Sequence, residues 1–142
     1  MASSRAKRTR PERLRFLDVA ALRRERPPPV DWRIEGLAAR GALSLLAGQP
    51  KAGKSLLALA LAGGVASGVP IAGIACRPST ALVVDAENGP CEIHRRLWGL
   101  ELPARATRRL HVLEARALDL RFELARLERR IAGCAPDLVV LD

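Results

Sequence analysis

One stretch limits the folds open to this chain more than any other: residues 48–55, GQPKAGKS. It fits the pattern G-x-x-x-x-G-K-[ST]. An apolar run, ALSLLAG at 42–48, precedes it, and a strongly helix-forming run, LLALALA at 56–62, follows it. The first run predicts a buried strand over 42–47, and the second predicts a helix over 54–67. A strand, a glycine loop and a helix in this order are typical of a phosphate-binding P-loop.

The chemistry of such a loop explains its residue types. Glycines allow the backbone to curl around a phosphate, and the amide N–H groups then point inward at the positive end of the following helix. Lys54 is expected to contact the β and γ phosphates and Ser55 to ligate Mg²⁺. The expected nucleotide contacts are consecutive: Gly48, Gln49, Pro50, Lys51, Ala52, Gly53, Lys54, Ser55 and Leu56.

The rest of the chain alternates between strand and helix patterns. Buried strands are predicted over 42–47, 80–86, 109–115 and 136–142. Helices are predicted over 54–67, from Pro90 to Leu100, and from an N-cap at Asp119 to about Ala132, with Gly133 as the C′ residue. The last helix carries an apolar stripe: Leu120, Leu124, Leu127 and Ile131. Alternation of this kind predicts an α/β fold with a parallel sheet between helices.

Basic residues are concentrated at the N-terminus. The net charge is +9, and residues 1–30 carry nine basic and three acidic side chains, which makes +6. Leu14, Leu17 and Ala21 predict a short amphipathic helix between Pro11 and Arg24. The prolines at 27–29 then predict a boundary between a basic arm, 1–29, and a domain, 30–142. The arm is compatible with nucleic-acid binding or simply with solubility.

Other classes of protein fit the sequence less well. The three widely spaced cysteines indicate no disulfide framework, so a reducing cytoplasm is expected. Cys91 and His94 form a C-x-x-H, but no second ligand pair supports a metal site. Residues 55–76 carry no charge, which would permit a membrane helix, yet Pro70 and several glycines interrupt them. We therefore expect a helix buried against the sheet and no membrane association.

Carboxylates end two of the predicted strands. PDLVVLD ends in Asp142, which has the form of a Walker B aspartate able to hold Mg²⁺. TALVVDA is followed by Glu87, which could orient the attacking water for ATP hydrolysis. Asp85 is the alternative for that role, and Glu87 could instead be a surface carboxylate or a helix cap. In a regular strand Asp85 and Glu87 would point the same way.

Together these residues resemble the RecA-like P-loop ATPases, and among them the RepA-type hexameric replicative helicases of plasmids and phages. The resemblance covers residues 30–142 and is carried by GLAARGALSLLAG, QPKAGKSLLALALAGGVASG, DAEN, IHRRL and PDLVVLD. It implies a three-layer αβα RecA-like fold and ATP bound with Mg²⁺ between subunits of a homo-oligomeric ring. Hydrolysis is then coupled to movement on DNA, with Lys54 and Glu87 catalytic and Ser55 and Asp142 at the metal.

Three residues near these motifs have no assigned role. Trp32 in the lead-in is either a packing anchor or a wall near the base, and Arg95 and Arg96 are basic positions of IHRRL.

The resemblance stops at Asp142. In the family a further strand inserts between the P-loop and Walker B strands, and the arginine finger and DNA-contacting loops come later. The chain is therefore expected to be a fragment with an incomplete sheet and feeble ATPase activity. Three alternatives stay open: another RecA-like ATPase (a recombinase or regulatory enzyme), a non-catalytic nucleotide- or DNA-binding remnant, and a small-molecule P-loop kinase.

Overall fold

The computed structural model describes residues 16–116 and 118–142 of the chain. In chain order the elements are α1 (Val19–Leu22), β1 (Trp32–Ile34), β2 (Ala38–Ala39), α2 (Lys54–Ser67), β3 (Ala81–Asp85), α3 (Pro90–Gly99), a 3₁₀ helix (Ala104–Arg108), β4 (Leu110–Glu114), α4 (Leu120–Cys134) and β5 (Leu138–Leu141). Positions 1–15 of the predicted basic arm lie outside the described residues, and they include the first five positions of its predicted helix, 11–15. From position 16 onward, only the four residues of α1 are helical before α2.

The centre of the fold is a parallel sheet in the order β4–β3–β5. Three of the predicted strands are confirmed, and each is one or two residues shorter at its ends. All five residues of β3 are buried because strands flank it on both sides. The chain is thus a mixed α/β protein built on a parallel sheet, as its alternating pattern predicts.

Alternating side chains of β3 contribute to two hydrophobic clusters. Ala81 and Val83 pack with Leu59, Ala62 and Val65 of α2. The side chains of Leu82 and Val84 pack instead in a second cluster with Leu127 of α4. This is the two-residue period of a strand, and it places helices against both faces of β3.

Helix α2 is apolar on every side and is buried against the sheet. Its residues from Leu59 to Ser67 are all buried. A Cβ at Gly64 would lie 2.6 Å from Ile71 Cγ1 and 2.9 Å from Cys76 Sγ, so glycine permits this close packing. Burial raises the pKa of the Cys76 thiol, which keeps it protonated as a core side chain. Within the described residues, no helix is both long enough and apolar enough to cross a membrane.

A hairpin that the sequence pattern did not reveal precedes the P-loop. Strands β1 and β2 pair antiparallel, and Arg33 at the centre of β1 is buried. Its Nη2 lies 3.3 Å from Asp31 Oδ2 and 3.5 Å from Asp137 Oδ1. Asp31 also accepts from Arg77 Nη1 at 2.6 Å. These ion pairs attach the hairpin to the start of β5 and to the segment before β3.

The predicted strand over 42–47 is wrong for this structure. The segment is irregular and exposed along its whole length, with Leu43 97% and Leu45 91% exposed. β5 pairs with β3 on one side only, and among the described residues no strand lies beside its other edge. A strand needs a neighbour to accept its backbone hydrogen bonds, and the 42–47 segment has none here.

Two details of α4 also differ from expectation. Gly133 lies inside the helix, and the left-handed residue that follows the helix is Ala135, with φ +44°. Pro136 comes next, and a residue before proline is disfavoured in the helical region, so the helix ends there. On the predicted apolar stripe, Leu127 and Ile131 pack against the sheet, whereas Leu124 is 51% exposed.

Candidate nucleotide site

The P-loop forms the turn that leads into α2. Gly53 is the N-cap with φ +86°, a left-handed conformation that favours glycine, and Lys51 is also left-handed with φ +63°. No described acceptor takes the amide N–H of Lys54, Ser55 or Leu56. These free donors stand at the positive end of a 14-residue helix, where an anion is favoured.

Lys54 is turned back onto its own loop. Its Nζ donates to the carbonyl oxygens of Gly48 at 3.1 Å and Gln49 at 2.9 Å. A phosphate is a stronger acceptor for an ammonium group than a neutral carbonyl. A bound phosphate would therefore replace these two carbonyl oxygens as the partner of the Lys54 ammonium group.

Ser55 and Asp142 meet, although they are 87 positions apart in the chain. Ser55 Oγ donates to Asp142 Oδ1 at 2.9 Å. The parallel ladder fixes Asp142, because its N–H donates to Val84 O at 3.0 Å and its carbonyl accepts from Ala86 N at 2.9 Å. The end of β5 is thus brought to the first turn of α2, at the carboxyl end of the sheet.

This pair fits a Mg²⁺ ion by the chemistry of its donors. Mg²⁺ prefers hard oxygen ligands and usually takes one or two carboxylates while keeping several waters. A hydroxyl and a carboxylate oxygen at hydrogen-bond distance supply two such ligands beside the phosphate loop. Elsewhere, none of the described His, Cys, Asp and Glu residues form a group of three or more suited to a metal ion.

Asp85 and Glu87 occupy different environments, because the regular strand that would point both carboxylates the same way ends at Asp85. β3 ends at Asp85, and the chain bends immediately after it. Asp85 is 5% exposed, and its carboxylate accepts from Glu87 N at 3.1 Å, Asn88 N at 2.7 Å and Asn88 Nδ2 at 3.0 and 3.1 Å. The side chain of Glu87 is exposed and takes part in no described hydrogen bond or ion pair. Asp85 holds the turn, and Glu87 is left accessible to water.

Asn88 is the residue here that the sequence analysis overlooked. Its backbone and side-chain amides both donate to Asp85, which makes it part of the support for the Glu87 turn. The signal available in the sequence was the tetrapeptide DAEN at 85–88, because Asp side chains commonly accept from amides two and three residues on.

The other residues singled out from the sequence lie apart from this constellation. Arg95 and Arg96 both pair with Glu92 within α3, at 2.7 and 3.0 Å. Cys91 and His94 are exposed on the same helix, and Trp32 is half-buried at the start of β1. Exposed ion pairs of this type contribute little to stability.

A family model described as an AAA domain matches residues 8–142, nearly the whole chain. The chain therefore belongs to this family of ATPase-type, nucleotide-binding domains. No curated protein and no solved structure gave a significant match. The family match includes much of the basic arm and the proline segment, and the boundary at 27–29 stays a prediction.

Proposed function

We propose that this chain binds ATP with Mg²⁺ at residues 48–56 and hydrolyses it with Glu87 as the water-orienting carboxylate. The observation that carries the proposal is the 2.9 Å hydrogen bond between Ser55 and Asp142. It joins the P-loop to the end of β5, so a hydroxyl and a carboxylate stand together beside free helix-terminal amides. Parallel α/β folds bind ligands at this edge of the sheet.

Each residue then has a defined task. The amides at the start of α2 and the Lys54 ammonium hold the β and γ phosphates, while Ser55 and Asp142 hold the metal. Bound Mg²⁺ neutralises charge that develops on the phosphates. Glu87 accepts a hydrogen bond from water and takes its proton as the water oxygen attacks the γ phosphorus. The bond to the β-phosphate oxygen breaks, which releases ADP and inorganic phosphate.

The metal-binding pair gives the sharpest test of this assignment. ATP titrations with and without Mg²⁺ should show that the ion strengthens binding about tenfold in the wild-type chain. Ser55→Ala and Asp142→Asn should each remove that dependence and leave the Mg²⁺-free affinity nearly unchanged. Ser79→Ala is a matched control, because Ser79 lies outside the P-loop and should retain the full response. Equal Mg²⁺ responses in all four chains would refute the metal site.

The finer assignment is a motor of the RepA-type helicase class with a RecA-like three-layer fold. It is supported by the motifs DAEN, IHRRL and PDLVVLD after the P-loop. It is also supported by the outer edge of β5, which no strand of residues 16–116 or 118–142 covers and where a further strand would fit. Under this proposal ATP lies between subunits of a homo-oligomeric ring that moves on DNA. ATP-dependent strand displacement by this protein tests it, and a recombinase or regulatory ATPase would displace no strand.

A second candidate, ATP binding without turnover, is favoured by the position of Lys54 on its own loop carbonyls. Single-turnover hydrolysis separates the two proposals. Glu87→Gln should slow hydrolysis of bound ATP about 100-fold or more if Glu87 orients water. If the chain binds ATP only as a remnant, Glu87→Gln and the wild-type chain will hydrolyse it at the same background rate.

Deletion of residues 1–29 tests whether the basic arm binds DNA. If it does, the deletion should lower the affinity for DNA and the salt dependence of binding.

A further inference from the structure

The turn that carries Glu87 is supported from two directions. On the inner side, the buried Asp85 carboxylate accepts from the amides of Glu87 and Asn88. On the other side, the support comes from Arg116, which follows β4. β4 is the neighbour of β3, with Glu114 directly opposite Asp85 in the ladder.

The Arg116 guanidinium lies directly against Gly89, the last residue of the turn. A Cβ at position 89 would overlap Arg116 Nη2 and lie 3.0 Å from Cζ. Gly89 has φ −93° and ψ 168°, an extended conformation that any residue adopts, so its backbone does not require glycine. Glycine is needed here because the guanidinium of Arg116 occupies the space that a Cβ would fill.

Arg116 also forms an ion pair with the residue two positions before it. Its Nε lies 3.3 Å from Glu114 Oε1. A chain of contacts therefore runs from the end of β4 through Glu114 and Arg116 to Gly89, and the turn is fixed relative to two strands. An arginine suits this position because its planar guanidinium can pair at Nε and lie flat on a backbone with its other nitrogens.

We propose that Arg116 is a positioning residue for Glu87: its guanidinium, paired with Glu114 and seated on Gly89, fixes the 86–89 turn at the carboxyl edge of the sheet. The inference rests on the proposed function, because the role of Glu87 belongs there. Arg116 is not proposed to contact ATP or the attacking water. It acts by restricting where the Glu87 carboxylate stands, and a misplacement of about 1 Å at a reacting group can cost about 100-fold in rate.

Two variants remove the same contact in different ways. Arg116→Ala removes the guanidinium, and Gly89→Ala places a Cβ where Arg116 Nη2 lies and so forces the guanidinium off the turn. Each variant should slow single-turnover ATP hydrolysis about 10- to 100-fold and change ATP affinity less than about twofold. The double variant should be no slower than either single variant, because the lost contact is shared.

Matched controls come from α3, the helix that begins after the turn. Gly99→Ala introduces a Cβ into open space, and Arg95→Ala removes an exposed arginine that pairs with Glu92. Both should hydrolyse ATP at the wild-type rate. Equal rates in Arg116→Ala, Gly89→Ala and these controls would overturn the proposal, as would rate losses that multiply in the double variant.

A readout without nucleotide separates this inference from the proposed function. Hydrogen exchange of the Glu87 and Asn88 amides should be about tenfold faster in Arg116→Ala and Gly89→Ala than in the wild type and the controls. If exchange accelerates while Glu87→Gln leaves hydrolysis unchanged, the turn support stands and the role of Glu87 fails. Unchanged exchange in both variants would sink the positioning role whatever the ATPase result.

Discussion

Two apolar segments of similar composition, 42–48 and 80–86, end in different states. Residues 81–85 of the second form β3, are fully buried, and pair with strands on both sides. The first segment has no regular structure, and Leu43 and Leu45 are more than 90% exposed. An apolar run therefore becomes a strand only where neighbouring strands accept its hydrogen bonds and helices cover its faces. β3 has both, and the P-loop lead-in has neither among the described residues.

The largest difference in the free energy of unfolding is expected between two leucine-to-alanine variants, one in each segment. Leu82 is 2% exposed in β3, whereas Leu45 is 91% exposed in the lead-in. Leu82→Ala should lower the free energy of unfolding by about 2–5 kcal/mol, because it leaves a cavity beside Leu127. Leu45→Ala should change it by less than about 0.5 kcal/mol. Urea denaturation of both variants measures the contrast.

A destabilisation of similar size in both leucine variants would contradict the comparison. It would mean that the lead-in is packed in solution, as the predicted strand over 42–47 requires.

Substitutions that detach the β1–β2 hairpin should lower the free energy of unfolding by an intermediate amount. Arg33 is 8% exposed at its side chain and depends on Asp31 and Asp137 for partners. Asp137→Ala removes one carboxylate from a buried guanidinium, and we expect a loss of about 1–3 kcal/mol in the free energy of unfolding. Glu35→Ala, an exposed acid of the same hairpin, serves as the control and should be nearly neutral. If Asp137→Ala is also neutral, the ion pairs do not hold the hairpin to the sheet.

The smallest change in stability is expected from a substitution at the start of α4, because this end of the helix is exposed whereas β3 is buried. Hydrogen bonds from Arg121, first from its side chain and then from its backbone, lower the pKa of Asp119. The unfolded-state pKa of an aspartate is about 3.9, and the folded-state pKa of Asp119 is lower. The ionised carboxylate therefore stabilises the folded state above about pH 3.9, and this contribution is lost as the pH falls through the folded-state pKa. Asp119→Ala should therefore lower the melting temperature slightly at pH 7 and less at pH 2. The same small loss at both pH values would show that the carboxylate charge is not involved.

Much of the fold was predictable because it follows from local patterns. The apolar runs at 80–86, 109–115 and 136–142 place three strands, and Pro90 and Asp119 mark two helix starts. The conjunction of Ser55 with Asp142 was also expected, since both lie at the carboxyl edge of a parallel sheet.

What was missed depends on contacts between distant segments. Nothing local in WRI indicates that Arg33 would be buried against Asp137, or that Arg116 would rest on Gly89. The lead-in carries the pattern of a strand, and its exposure is decided by the absence of a neighbour. The different environments of Asp85 and Glu87 arise because β3 ends at Asp85 and the chain turns there, so the strand does not extend to Glu87.

Binding of ATP by the P-loop depends on Lys54 in the proposed mechanism, and one pair of variants tests this role. Lys54→Ala and Lys51→Ala each remove one lysine charge from the same loop. Lys54→Ala should raise the dissociation constant for Mg²⁺-ATP about 10- to 100-fold, as expected for the loss of a charge-assisted hydrogen bond to phosphate. Lys51→Ala should change it less than about threefold, because residue 51 is expected to contact phosphate through its backbone amide, which the substitution keeps. Equal affinity in the wild type and both variants would show that Lys54 does not hold the phosphates.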